Sequence, residues 1–358
     1  MGKAVITQEA LATSAARYRH ELITAPMLAL GPALNYFTLR SGIRYSETVG
    51  ELSGDIELAP YDEDNVDDSD MTITPRTLYT YFGSVVKRFS PNSVAQSIYG
   101  SSITKGDELK NVDITLKVLT YLSAKIGKGL AKSLFNAERN PKGKRTVDLF
   151  DGLDTITRKE IKAGTVSAAA GNLYAFPEAI TSDNAVEQIV AFCRAASDEL
   201  LGYEDGSDSK GGELNLLVPR SVLYAYRDDY KVTTGHSPIY DKFNQTCVEG
   251  FDNIRLVPMV GKQGSDIVQL STRNNLLIGV NQQGEEEDVR IEKHHEFKLS
   301  FVATLFFGTD YESIAPERLL VGQMPKTGEP SGPDPDGGDD ATEESIAPER
   351  LLVGQMPK

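Results

Sequence analysis

The sequence predicts an α+β fold, and three stretches carry that prediction. Two β-rich runs, 36–60 and 71–90, flank a block of acids. A long amphipathic helix runs over 104–138. A run with period-two alternation, DVRIEKHHEFKLSFVATLFFG, covers 288–308. Short helices and strands alternate between the last two.

Residues 1–35 combine a short helical pattern, Gln8 to Leu22, with Pro26 and Pro32, and read as an arm. Residues 36–90 then read as an extended β-hairpin. TITPRTLYTYFGSVVKRF is rich in aromatic and β-branched residues, the usual strand composition. The hairpin tip is 60–70.

In the 104–138 helix, apolar residues fall at Leu109, Val112, Leu116, Leu119, Leu122, Ile126, Leu130 and Leu134. Steps of three and four place them on one face. Ser102 or Thr104 can cap it, and Asp107 and Glu108 suit its positive end. Gly127 and Gly129 weaken its last third by about 1 kcal/mol each relative to Ala. RNPKGKR ends it in a basic loop.

From 146 the pattern is mixed. Ser182 or Asp183 starts a helix with Val186, Ile189, Val190, Cys193, Ala196 and Leu200 on one face, stopped by Gly202. A buried strand, LNLLV, runs into Pro219, and RSVLYAYRDD continues as a helix. RLVPMV, DIVQLS and NLLIGV read as short strands. In the closing run, Phe297, Leu299, Phe301, Ala303 and Leu305 share one face of a single long strand.

Composition bounds the function. The 358 residues are 40% hydrophobic and 25% charged, a globular profile. No run approaches 18 consecutive apolar residues, so no membrane helix is expected. The start lacks a signal-peptide apolar region, and Ile6 stands where a myristoylation signal needs Ser or Thr. Two cysteines, Cys193 and Cys247, cannot build a disulfide framework. An intracellular, reduced, soluble chain is the expectation.

The net charge of −15 is local. Residues 55–70 hold eight acids and no base, and residues 327–343 hold six acids and no base. The rest is nearly neutral and carries no electrostatic footprint for tight nucleic-acid binding.

Catalytic and metal constellations are not evident. SAKIGKGLAKS (123–133) lacks the phosphate-loop spacing and falls on a helix. His294 and His295 are adjacent in a strand and point to opposite faces. A calcium loop of the EF-hand kind starting at Asp62 would need Gly and Glu where Asp67 and Ile73 stand. A looser calcium site at these acids stays open. Cys193 reads as core. No cofactor and no enzyme activity are expected.

The order of elements resembles the major capsid protein of tailed bacteriophages, the Hong Kong 97-type fold, over most of 1–326. LNLLVPRSVLYAYRDDYK is similar to that family's strand, proline and helix in the axial domain. FDNIRLVPMV and QLSTRNNLLIGV resemble the strands that follow. DVRIEKHHEFKLSFVATLFFGTDYESIAPERLLVG resembles the closing segment. The resemblance implies an N-terminal arm (1–35), an extended β-loop (36–90) and a peripheral domain (91–180) with spine helix 104–138. It further implies an axial domain (181–286) and a closing strand (287–326) that returns to the peripheral domain.

The implied role is structural. Pentamers and hexamers would form an icosahedral shell around double-stranded DNA in the virion, after assembly in the bacterial host cytoplasm. DNA contact would be weak and non-specific. A short arm implies a separate scaffolding protein, or a mature chain. A portal and decoration proteins are further implied partners, and no local signature singles out a crosslinking pair. A projection of this length cannot bury itself alone, so it would lie on a neighbour. The acids at its tip, Asp62, Glu63, Asp64, Asp67, Asp68 and Asp70, then need positive charge. The dense basic loop of Arg139, Lys142, Lys144 and Arg145 is the expected contact in a neighbouring subunit. An encapsulin shell is the alternative of the same fold. An α/β enzyme acting on a small molecule is the alternative of another class.

One feature is independent of the resemblance. ESIAPERLLVGQMPK occurs twice, at 312–326 and 344–358. The first copy continues the closing strand and is expected to be docked. The second follows a Pro/Gly/Asp-rich linker with the composition of a flexible chain. It is a dispensable tail, a clasp on a neighbour, or a duplication scar.

Overall fold

The computed structural model describes residues 30–53, 72–89, 111–202, 213–235, 247–281, 289–295 and 298–325. Its strands are β1 (Thr38–Arg40), β2 (Ser46–Ser53), β3 (Thr72–Tyr79), β4 (Tyr81–Phe89), β5 (Leu173–Ala175) and β6 (Leu214–Val218). They continue as β7 (Ile254–Pro258), β8 (Ile267–Thr272), β9 (Leu276–Val280), β10 (Val289–His295), β11 (Lys298–Tyr311) and β12 (Leu319–Gln323). The α-helices are α1 (Asn111–Ser133), α2 (Leu153–Ala163), α3 (Ala185–Arg194), α4 (Asp198–Leu201) and α5 (Arg220–Thr234).

Two five-stranded sheets and a two-stranded ribbon organise these elements. The ribbon pairs β2 with β3 antiparallel, from Ser46↔Tyr79 to Ser53↔Thr72. After Thr80 the chain leaves the ribbon. β4 pairs antiparallel with β11, from Phe307↔Tyr81 to Leu299↔Phe89. β11 also pairs with β9 and β10, and β1 adds to β9 in parallel. The second sheet has the order β5-β12-β8-β6-β7.

The 288–308 run is not one strand. β10 and β11 are antiparallel partners, and the register reaches His295↔Lys298, so the chain reverses between them. Alternation does not distinguish these cases, because a register shift between Lys293 and His295 sets residues of like parity opposite one another, Ile291↔Phe301 and Val289↔Ala303, so period two continues from β10 into β11. Phe301 and Ala303 are buried, but so are Phe306 and Phe307. Both faces of β11 are covered toward its end. Phe297 and the side chains of Leu299, His294 and His295 lie outside the described residues.

The long helix also ends earlier than its periodicity suggests, at Ser133 rather than Glu138. The cause is the next helix. Leu153 N and Asp154 N, at the start of α2, donate to Leu134 O and Phe135 O at 3.1 and 3.0 Å. Amides from α2 thus satisfy carbonyls that a continuing α1 would have bonded itself. Gly152 permits the approach, since a Cβ there would collide with the Phe135 backbone. Leu134 still reaches the core by turning in.

The helix predicted over 183–202 is likewise two, α3 and α4. Ser197 breaks it. Its Oγ accepts from Leu200 N at 3.2 Å, a local cap, and donates to Pro316 O at 3.0 Å.

Two large apolar cores result among the described residues, with a smaller cluster of Ile43, Val49, Leu78 and Leu277 at the root of the ribbon. One joins α1, α2 and the ends of β9, β11 and β12 through Leu130, Leu134, Phe135, Phe150, Leu153, Phe307 and Leu319. The other lies between the second sheet and α3 and α5, with Ile189, Phe192, Cys193, Leu216, Val222 and Tyr226.

Candidate inter-subunit surfaces

Three features sit where the ribbon joins the body: a latch, a basic loop and an aromatic patch. The latch is Arg76 on β3. Its Nη2 lies 2.8 Å from Asp310 on β11 and 2.8 Å from Glu160 on α2. Its Nε donates to the same Asp310 oxygen at 3.0 Å. Burial alone would lower the Arg76 pKa, but the two carboxylates outweigh it and raise it. Burial raises the Asp310 carboxyl against the pull of Arg76. The guanidinium is therefore a fixed charge that both acids depend on. Close packing adds to the lock: Gly308 has no room for a Cβ against the Tyr79 carbonyl.

The basic loop is exposed and shaped from within. Asp148 Oδ2 accepts from the backbone of Lys144 at 3.1 Å and of Arg145 at 2.9 Å. Arg145 also pairs with Asp148 at 3.4 Å. Its side-chain hydrogen bond, the first cause, holds the Asp148 carboxyl below the usual range. Gly143 is required here, since a Cβ would overlap Asp148.

Arg139 is spent internally. Its guanidinium lies 3.7 Å from the Tyr81 ring centroid, and its amide donates to Asp151 at 3.0 Å. The loop is thus pinned to the first residue of β4. Lys142 and Lys144 keep their ammonium groups free of ion pairs among the described residues.

The opposite face of β4 carries the aromatic patch. Phe82 packs 4.9 Å from Phe306, and Tyr45 meets the same ring edge-on at 5.2 Å. Phe82, Tyr45 and Val86 are exposed although Phe306 is not. Phe82 and Val86, four residues apart in a strand, share a face. Tyr45 is held at φ 71°, a left-handed conformation that costs a non-glycine residue free energy.

Sequence reasoning missed the latch and the patch. A single Arg after Pro75 in an apolar strand run was the available signal for the first. The acids Asp62, Glu63, Asp64, Asp67, Asp68 and Asp70 lie outside the described residues. Among the described residues, no group of three or more His, Cys, Asp or Glu can hold a metal, and no helix is long and apolar enough to cross a membrane.

No family model matches the sequence, and no curated protein matches it. Solved structures do. The chain is similar to a subunit of the satellite phage P4 procapsid that includes the size determination protein. The TM-score is 0.56 at 11% identity, covering 87% of this chain and 92% of that one. It is similar to the capsid of the empty GTA particle, with TM-score 0.52, 12% identity and coverage of 82% and 90%. The native GTA capsid gives 0.51 at 13% identity, covering 84% and 90%. The fold is that of a tailed-phage major capsid protein. The α+β Hong Kong 97-type expectation is borne out at the level of fold.

Proposed function

We propose that this chain is a structural, non-enzymatic capsid subunit. It assembles as hexamers and pentamers into an icosahedral shell enclosing phage double-stranded DNA, and its place is the virion. The carrying observation is the likeness to the P4 procapsid subunit over 87% of this chain and 92% of that one. The match runs over nearly the whole length of both chains, so the shell fold accounts for most of these residues.

In this reading residues 1–35 are the arm, and the extended loop expected over 36–90 narrows to the ribbon between Ser46 and Tyr79, because β1 pairs with β9 and β4 with β11 in the body. Residues 91–180 and 287–326 are assigned to the peripheral domain and 181–286 to the axial domain, with two exchanges: β5 and β12 complete the sheet of β6, β7 and β8, and β9 joins the sheet of β11. A separate scaffolding protein guides assembly in the host cytoplasm, with a portal and decoration proteins as further partners. The ribbon reaches over a neighbouring subunit. Its acids Asp62, Glu63, Asp64, Asp67, Asp68 and Asp70 meet the basic loop there. Lys142 and Lys144 supply the free charge, Arg145 a share of it, and Arg139 anchors the loop. The support is physical: eight acids in 55–70 repel one another unless a cation neutralises them.

Negative-stain microscopy of the full chain, expressed with its scaffolding protein, tests the reading. Closed particles tens of nanometres across are expected. A chain that stays monomeric under those conditions overturns it. Replacing Asp62, Asp64, Asp67 and Asp68 by Lys should abolish particles, and adding Lys142→Glu and Lys144→Glu should restore some. Normal shells from the first variant would end the pairing idea while leaving the capsid reading intact.

A further inference from the structure

The first copy of the repeat is not an appendage. β12 lies between β5 and β8 in the interior of the second sheet. It pairs in parallel with β5 over Val321–Gln323 and antiparallel with β8 from Leu319↔Ser271 to Gln323↔Ile267. Leu319, Leu320 and Val321 are buried. A Cβ on Gly322 would fall 2.6 Å from both Phe176 and Val268, so the slot demands glycine at that register.

The stitching extends along almost the whole copy. Glu312 pairs with Arg40 at 3.0 Å. Ser313 N donates to Asn275 Oδ1 at 2.7 Å, and Ile314 O accepts from Asn172 at 2.8 Å. Arg318 O accepts from Ser271 Oγ at 2.7 Å, and Met324 N donates to Asp266 O at 2.7 Å. Each of these residues from the repeat recurs, in the same order, in 344–358.

We propose that the second copy is an interchangeable closing strand for this slot in its own subunit. Whatever free energy the slot gives to 312–326 it gives equally to 344–358, because the side chains and backbone are the same. The two states differ only in connection. With the second copy seated, Glu344 follows the position of Tyr311, and residues 312–343 form a loop anchored at both ends. Loop-closure entropy rises only slowly with length, so a loop of this size is accessible but disfavoured against the direct connection. The first copy therefore holds the slot in the unmodified chain, and the second enters when the first is damaged or displaced. The exchange converts the acidic segment 327–343 from part of a tail into part of a surface loop.

The test uses full-length chains. Gly322→Trp blocks the first copy, Gly354→Trp blocks the second, and the double variant blocks both. Hydrogen-exchange mass spectrometry reads which copy is protected, since the Trp distinguishes the peptides. Gly322→Trp should remain folded, with protection moved from 312–326 to 344–358. Gly354→Trp should behave as the unmodified chain, and the double variant should lose the cooperative transition. Leu320→Asp repeats the first arm with a different lesion. Protection that stays on 312–326 in both single lesions overturns the proposal. So does a Gly322→Trp chain as unfolded as the double variant. The result does not depend on whether shells form.

Discussion

Replacing Lys262 by Met perturbs a fully buried charge and leaves the neighbouring packing nearly unchanged. The Lys262 and Asp154 side chains are both wholly inaccessible, with Nζ 2.6 Å from Asp154 Oδ1. Nζ also donates to Gln269 Oε1 at 2.6 Å and sits 4.7 Å from the Phe135 ring centroid. Asp154 further accepts from Ser265 Oγ and from Gln269 Nε2, the latter at 2.7 Å. Met keeps the apolar stem and removes the ammonium, so Asp154 stays buried with two neutral donors. Breaking one side of such a pair costs about 3–5 kcal/mol. At about 2 °C per kcal/mol for a large domain, Tm should fall by about 6–10 °C. Lys262→Met with Asp154→Leu should recover most of that loss, since an apolar pair leaves no orphan charge.

The same group sets a pH signature. Burial lowers the Lys262 pKa below 10.5, against the opposing charge and hydrogen bond of Asp154; Arg158 also lowers it and Asp266 raises it. Between that lowered value and 10.5 the unfolded chain holds more protons, so stability rises with pH. The contribution is complete above 10.5 and is lost as pH falls through the folded value. The Met variant lacks it, and the Tm gap to the unmodified chain should widen as pH rises through that window. Calorimetry on dispersed subunits measures both effects. A single-variant loss under about 2 °C would refute the assignment of a charged buried pair, and a gap that narrows with rising pH would refute the dominance of burial over Asp154 in setting the Lys262 pKa.

Two further outcomes follow from the described contacts. Arg76→Ala strips Asp310 and Glu160 of their shared cation and should lower stability in urea by about 3 kcal/mol; Arg76→Lys should recover only part, because an ammonium can stand in for Nη2 but not for the second, Nε contact to Asp310. Burial pushes the Cys193 thiol to about 12, so iodoacetamide at pH 8 should modify Cys247 first and reach Cys193 only after denaturant, as read by mass spectrometry.

The fold was legible where one physical signal dominates a segment. Pro219 before RSVLYAYRDD marks the start of α5, and Gly235 at φ 71° closes it. LNLLV is wholly buried as β6, as its unbroken apolar run implies. Two of the failures share one cause: the boundary is set by a partner from another element. The end of α1 depends on amides arriving from α2. The break between α3 and α4 depends on Ser197, whose hydroxyl serves a carbonyl more than a hundred residues away. The β10–β11 reversal leaves the alternation intact, so no local pattern records it.

The candidate surfaces divide along the same line. Charge density is a property of composition, and the basic loop could be found by counting. What each base does there is a property of tertiary packing. Arg139 looked equivalent to Lys142 and Lys144, but its guanidinium is committed to Tyr81. Lys142 and Lys144 therefore carry the free charge, with Arg145 partly neutralised by Asp148. Rigidity follows from the same contacts. Asp148 fixes the loop backbone, Arg139 fixes it to β4, and β4 is bonded along its length to β11. On the far side of Thr80, Arg76 fixes the ribbon to the same β11. The root of the ribbon and the loop thus share one strand as their frame.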